Sequence, residues 1–137
     1  MEINVNKFAP LLLGFALLLS ACNDQEDQVE DRIEEQAEQS AQESGDTPAA
    51  LGLTERQLLD AEILAADGTE LGDVEAVTKD ADGNATELLI EVEDSDPDRY
   101  VAIPIDGLTV TTRGNDTDLS SEMTMEDIGS LPDAQIL

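Results

Sequence analysis

The sequence predicts an all-β domain: a small antiparallel barrel of about five strands, finished by a short C-terminal helical turn and preceded by an acidic tether that is disordered or partly helical. Between residues 60 and 112, apolar residues recur at every second position in short runs, the spacing of half-buried strands. Asp67-Gly68 and Asp82-Gly83 fall between those runs as tight-turn dipeptides. Upstream of Pro48 the composition changes to Asp, Glu, Gln, Ser and Ala, with too few apolar residues to build a core.

The amino-terminal segment has another character. Lys7 and the free amino terminus outweigh Glu2, and residues 8–19 form an apolar run. That run is shorter than the roughly 20 residues a bilayer span needs, and it fits the roughly 7–15 of an export signal. It ends in Leu19-Ser20-Ala21-Cys22, which carries the chain's single cysteine and resembles a bacterial lipobox. The resemblance implies a lipoprotein signal peptide over 1–21, cleavage after Ala21, and a diacylglyceryl group on the Cys22 thiol with a further acyl chain on the new amino terminus. Each buried methylene contributes about 0.8 kcal/mol, so two or more chains hold a protein where one is marginal. Attachment to a membrane through Cys22, without a span, is therefore expected. With one cysteine, no intramolecular disulfide is available.

Residues 22–53 read as an acidic, Gln/Glu-rich tether and linker, and 54–137 as the folded domain with its core at about 57–112. Within 23–44, Val29, Ile33 and Ala37 form one row at i, i+4, i+8. Glu, Gln and Ala favour helix, but so narrow a stripe buries little, and a solvated tether is expected. Residues 45–52, with Pro48, break the pattern. A first strand is expected over 60–66, ending at Asp67-Gly68. The second, 70–79, sets Gly72, Val74, Ala76 and Thr78 on one face against Asp73, Glu75 and Val77 on the other. In the turn 80–84, Asp82-Gly83 supplies the left-handed conformation. The third strand, 86–92, aligns Leu88, Ile90 and Val92, flanked by Glu87, Glu91 and Glu93. In the fourth, 99–105, Val101, Ile103 and Ile105 point inward, Tyr100 lays its ring on the barrel surface, and Pro104 demands an edge or a strand end. The fifth, 108–112, is short. Thr124 and Asp127 have capping-box spacing, which predicts a helical turn or two that close the barrel before Pro132.

Charge and missing residue types restrict function. The chain carries 33 acidic and 6 basic residues, net −27, and removal of 1–21 takes away Glu2 and Lys7 alone. Arg32, Arg56, Lys79, Arg99 and Arg113 are scattered singly, so no basic stripe exists to neutralise phosphates, and nucleic acid is excluded as a partner. Anionic headgroups repel such a body as well. There is no histidine, and beyond the signal segment Tyr100 is the one aromatic. Imidazole-based triads, zinc sites and base-stacking platforms lack their parts. No catalytic residue, no cofactor, no metal and no small-molecule substrate are expected.

Ile63 ahead of Asp67-Gly68, Leu71-Gly72 followed by Val74 and Val77, the turn with Asp80, Asp82 and Gly83, the run Leu88 to Val92, and Val101 to Pro104 with Leu108 stand in a characteristic order. Their order and spacing resemble the PRC-barrel domains, found in the H subunit of photosynthetic reaction centres and in the ribosome maturation factor. The resemblance covers about residues 57–112. It implies a barrel used as a docking module, with no catalytic constellation to carry over.

The expected function is that of a lipid-anchored, periplasm-facing envelope protein whose barrel docks another envelope protein. An alternative is an acidic envelope protein that binds divalent cations, because Asp94, Asp96 and Asp98 alternate like the start of a calcium loop. Arg99 stands where that loop wants glycine, and Ile105 where it wants the bidentate glutamate. An enzyme would need a carboxylate pair in a dry pocket, the only acid–base chemistry left. By analogy with enterobacterial sorting, Asn23 after Cys22, with Asp24 only next, favours the outer membrane over the inner.

Overall fold

The structure, a computed structural model, describes residues 24–136; the signal segment 1–21, with the lipobox residues Leu19, Ser20, Ala21 and Cys22, and Asn23 lie outside the described residues. In chain order the elements are α1 (Asp24–Ser44), β1 (Pro48–Ala50), β2 (Leu53–Thr54), α2 (Glu55–Leu59), β3 (Glu62–Ala65), β4 (Glu70–Lys79), β5 (Ala85–Val92), β6 (Tyr100–Pro104), β7 (Thr109–Arg113), β8 (Asp116–Ser121) and α3 (Met125–Ser130). Each expected strand is found within two residues of its predicted place.

Strands β3 to β8 form one sheet in the order β6-β5-β4-β3-β8-β7, while β1 and β2 pair with each other. The expectation of a purely antiparallel sheet is corrected at one position, where β3 and β8 run parallel. The chain leaves the sheet at one edge as β6 and rejoins it at the other as β7, so the β7–β8 hairpin inserts β8 beside β3 in the same direction. Strand β8 was not legible in the sequence because Leu119 is its only large apolar residue.

The sheet is open, with β6 and β7 as edges that share no ladder. It is also curved rather than flat. Residues 105–108 alone join β6 to β7, and five Cα steps reach at most about 18 Å. Six flat strands would hold the two edges about 24 Å apart. The concave side encloses the core, where Ile63, Leu71, Leu88, Ile90, Val101, Ile103 and Leu119 are buried together with Leu58 of α2 and Ile128 of α3. As expected, α3 begins with a complete capping box between Thr124 and Asp127. It crosses from the end of β8 toward the start of β6, where Ala134 N donates to the Tyr100 carbonyl at 2.7 Å.

Two local features set the register. A Cβ on Gly72 would lie 2.0 Å from the Glu91 carbonyl oxygen, so only glycine lets β4 and β5 approach there. The β4–β5 register then shifts between Val74 and Ala76, which makes Glu75 the extra residue of a bulge. Val74 opposes Ile90 and Val77 opposes Leu88 on the core side, while Ala76 pairs with Leu89. The expected grouping of Val74 with Ala76 on one face is corrected by that bulge.

Residues 24–44 differ most from expectation. They form one continuous helix laid against β4 and α2, with Ile33, Ala37 and Ala41 buried. The row Val29, Ile33, Ala37 runs on to Ala41, and alanines let the helix approach the strand closely. Among the described residues, no helix is long and apolar enough to cross a membrane.

Candidate functional site

The motif residues read from the sequence serve the fold. Asp67-Gly68 turns β3 into β4: Gly68 N donates to the Ala65 carbonyl, and Asp67 Oδ1 accepts from Thr69 N at 2.9 Å. In the next turn, Asp80 Oδ1 accepts from the amides of Asp82 and Asn84, both at 2.9 Å, with Gly83 at φ +87°. These backbone hydrogen bonds hold the carboxyls of Asp67 and Asp80 below the usual range. Pro104 ends β6 on the sheet edge, as its missing N–H demands.

The most elaborate polar arrangement lies where α1 meets the sheet, and its two ends are opposite in kind. At the C-terminal end, Lys79 Nζ of β4 donates to Glu55 Oε2 at 2.6 Å, to Ser44 Oγ at 3.0 Å and to Ser40 Oγ at 3.1 Å. Ser44 Oγ also donates to Glu55 Oε2 at 2.6 Å. Burial alone would raise Glu55, but hydrogen bonds from Lys79, Ser40 and Ser44 outweigh it and hold the carboxyl below its ordinary value. Glu55 is only 1% exposed, and its Oε1 has no partner among the described residues.

Toward the N-terminal end, carboxylates face carboxylates. Burial, followed by Glu91, Glu34, Asp73 and Glu30, pushes the bulge residue Glu75 up to about 7. Burial also raises Glu91, with Asp98 and Glu30 adding to it, and raises Glu30, with Glu34 and Asp98 adding to it. Tyr100, expected on the surface, is buried beneath this group, its hydroxyl 3.5 Å from Glu91 Oε2 and its own pKa raised by burial and the surrounding acids. Arg56 lines the recess beside Glu75, with Glu34, Glu38, Asp60 and Leu59. That recess holds about 270 Å³ and has mostly charged walls, unlike the dry apolar pocket that carboxylate catalysis requires.

Three carboxylates converge at a second place, where ligand oxygens of Glu62, Glu70 and Asp73 lie within 4.8 Å of one another. Arg113 already serves this region: it pairs with Glu62, and its Nε donates to Asp118 Oδ2 at 2.7 Å. The candidate calcium residues Asp94, Asp96 and Asp98 are exposed and do not converge in this way.

The sequence reading missed the Lys79–Glu55 pair, Glu75 and helix α2. A signal for α2 exists in Thr54-Glu55-Arg56-Gln57, a capping box in which Thr54 Oγ1 accepts from Gln57 N and the Gln57 side chain accepts from Thr54 N. Nothing in the pattern of β4 announced the bulge that lifts Glu75 toward α1. Compared with known proteins, the chain matches no family model and no curated protein.

Proposed function

We propose that this chain is a membrane-anchored periplasmic lipoprotein whose curved β domain, related in plan to the PRC-barrel, is a protein-interaction module. One observation supports this above the others. Cys22 of the lipobox stands two positions before Asp24, the first residue of a helix that is itself packed on the domain. Lipid on Cys22 would thus hold the β body at the bilayer directly, by a rigid α1 of about 30 Å rather than a loose tether. Asn23 at the following position favours the outer membrane. The charged recess between α1 and Glu75 favours docking over chemistry.

Expression of the full-length chain and of Cys22→Ser in a Gram-negative host tests the anchor. The wild type should fractionate with membranes, at a mass equal to residues 22–137 plus acyl groups. The variant should keep its signal segment, and equal mass and equal partitioning in the two would refute the reading. Cross-linking in intact cells tests the docking role: one envelope protein recovered reproducibly supports it, and none recovered refutes it.

A further inference from the structure

The two edges of the sheet are treated differently. Edge β6 is blocked: Pro104 lacks an N–H, Ala134 N occupies the Tyr100 carbonyl, and Arg99 ties the returning tail through Asp133 at 2.8 Å and the Leu131 carbonyl at 3.1 Å. Edge β7 carries none of these guards. It reads Thr-Val-Thr-Thr-Arg, a β-branched run without proline, lysine or an acid, and it pairs with β8 in unbroken register from Thr109 opposite Ser120 to Arg113 opposite Asp116. Alternate residues of such a strand turn N–H and C=O groups away from the partner. On β7 those outward groups meet no hydrogen-bond partner among the described residues. Val110 is 43% exposed, and at the start of the strand Leu51, itself 39% exposed, shares a shallow recess with Ala85, Ile105 and Leu108.

An edge this regular is a template for another strand, and a protein that leaves it bare risks aggregation unless the edge has a use. Charge selects the occupant. A second copy would bring another net −27 against this one. Exposed Asp106 and Asp116 flank the strand at its two ends. We propose that β7 is the docking edge of the module and accepts an extended, basic segment of a partner protein as a seventh strand, with an apolar side chain of that segment seated beside Leu51 and Val110. The inference rests on the docking function and names its surface.

The full-length chain, purified in detergent, is titrated with a peptide of about seven residues that alternates valine and threonine and carries lysine at each end; the same peptide with glutamate ends serves as a comparison. The lysine peptide should bind, more weakly as salt rises, and should slow amide exchange in residues 109–113 at least tenfold. Val110→Lys, a surface change that guards the edge with like charge, should weaken binding at least tenfold, whereas Val110→Thr should retain it. No binding, equal binding of the glutamate peptide, protection elsewhere than β7, or a dimer abolished by Val110→Lys would each overturn the proposal. The failures separate in intact cells. If wild type and Val110→Lys cross-link the same protein equally, docking stands and β7 is not its edge. If neither cross-links any protein, docking falls while the titration still decides the edge.

Discussion

Replacing Glu75 by glutamine should stabilise the protein, and the gain should grow as pH rises from 4.5 to about 7. Burial and the facing acids move Glu75 from 4.5 to about 7, so between those values the folded state binds a proton that the unfolded state has released. Stability must then fall as pH rises through that window, the reverse of a salt-bridged carboxylate. The full shift corresponds to about 3 kcal/mol above pH 7. Glu75 is partly exposed and its neighbours are screened by solvent, which reduces the expected cost to about 1.5 kcal/mol. For a domain of this size that is about 5–10 °C in melting temperature. Circular-dichroism melts of wild type and Glu75→Gln between pH 5 and 8 provide the assay. This range lies above the titration of Glu55, Asp67, Asp80 and Asp127, whose lowered carboxyls act in the opposite sense at more acidic pH. Wild type should melt lower at pH 7.5 than at pH 5, the glutamine variant should melt higher than wild type at pH 7.5, and the gap between them should be smaller at pH 5. A wild-type melting temperature that is flat or rising with pH, or an unaltered slope in the variant, refutes the reasoning.

Removing the other charge beneath α1 has the opposite effect. Lys79→Met leaves Glu55 buried without its cation and should cost about 3 kcal/mol in urea denaturation, with Lys79→Met/Glu55→Gln less destabilised than Lys79→Met alone. Gly72→Ala forces a methyl group onto the Glu91 carbonyl and should cost about 3 kcal/mol or more, read as lost soluble expression or a collapsed urea midpoint; a wild-type midpoint would contradict the close approach. Amide protection along α1 should be lower near Glu30 and Glu34 than near Ala41 and Ser44, and the difference should shrink at pH 5; uniform protection at both pH values would contradict the polarised docking. Millimolar calcium should leave the melting temperature unchanged, because Arg113 already neutralises part of the Glu62, Glu70 and Asp73 group; a rise of several degrees would favour the cation-binding alternative.

The strands were legible because alternation is a local property: Leu88, Ile90 and Val92, and Val101, Ile103 and Ile105, all reach the core as their spacing requires. The capping box of α3 was legible for the same reason, since Thr124 and Asp127 act within one turn. What escaped depends on residues far apart in the chain. Strand β8 holds Asp118 inside because Arg113, on the neighbouring strand, satisfies it. Helix α1 is held by Lys79 and by a strand surface that a bulge at Glu75 remodels, and neither is visible within 24–44. The Glu75 group was hidden in a different way. In so acidic a chain one more glutamate carries no signal until the fold sets it opposite Glu30, Glu34 and Glu91.

The two ends of α1 bear on how an anchored protein would sit at its membrane. Helix and sheet are clamped at the end remote from Cys22, where Lys79 gathers Ser40, Ser44 and Glu55. They repel at the near end, where acids from α1, β4, β5 and the loop before β6 crowd around Tyr100. Opening of this interface should therefore begin at the N-terminal end of α1 and leave the far end attached, which in an anchored protein would let the body lean away from the bilayer without losing its hold. An anionic surface adds repulsion to that same end and would favour opening, whereas local acidity protonates Glu75 and favours the docked helix. The helix that the sequence presents as a passive spacer is thus the element through which charge would set the distance between membrane and β domain.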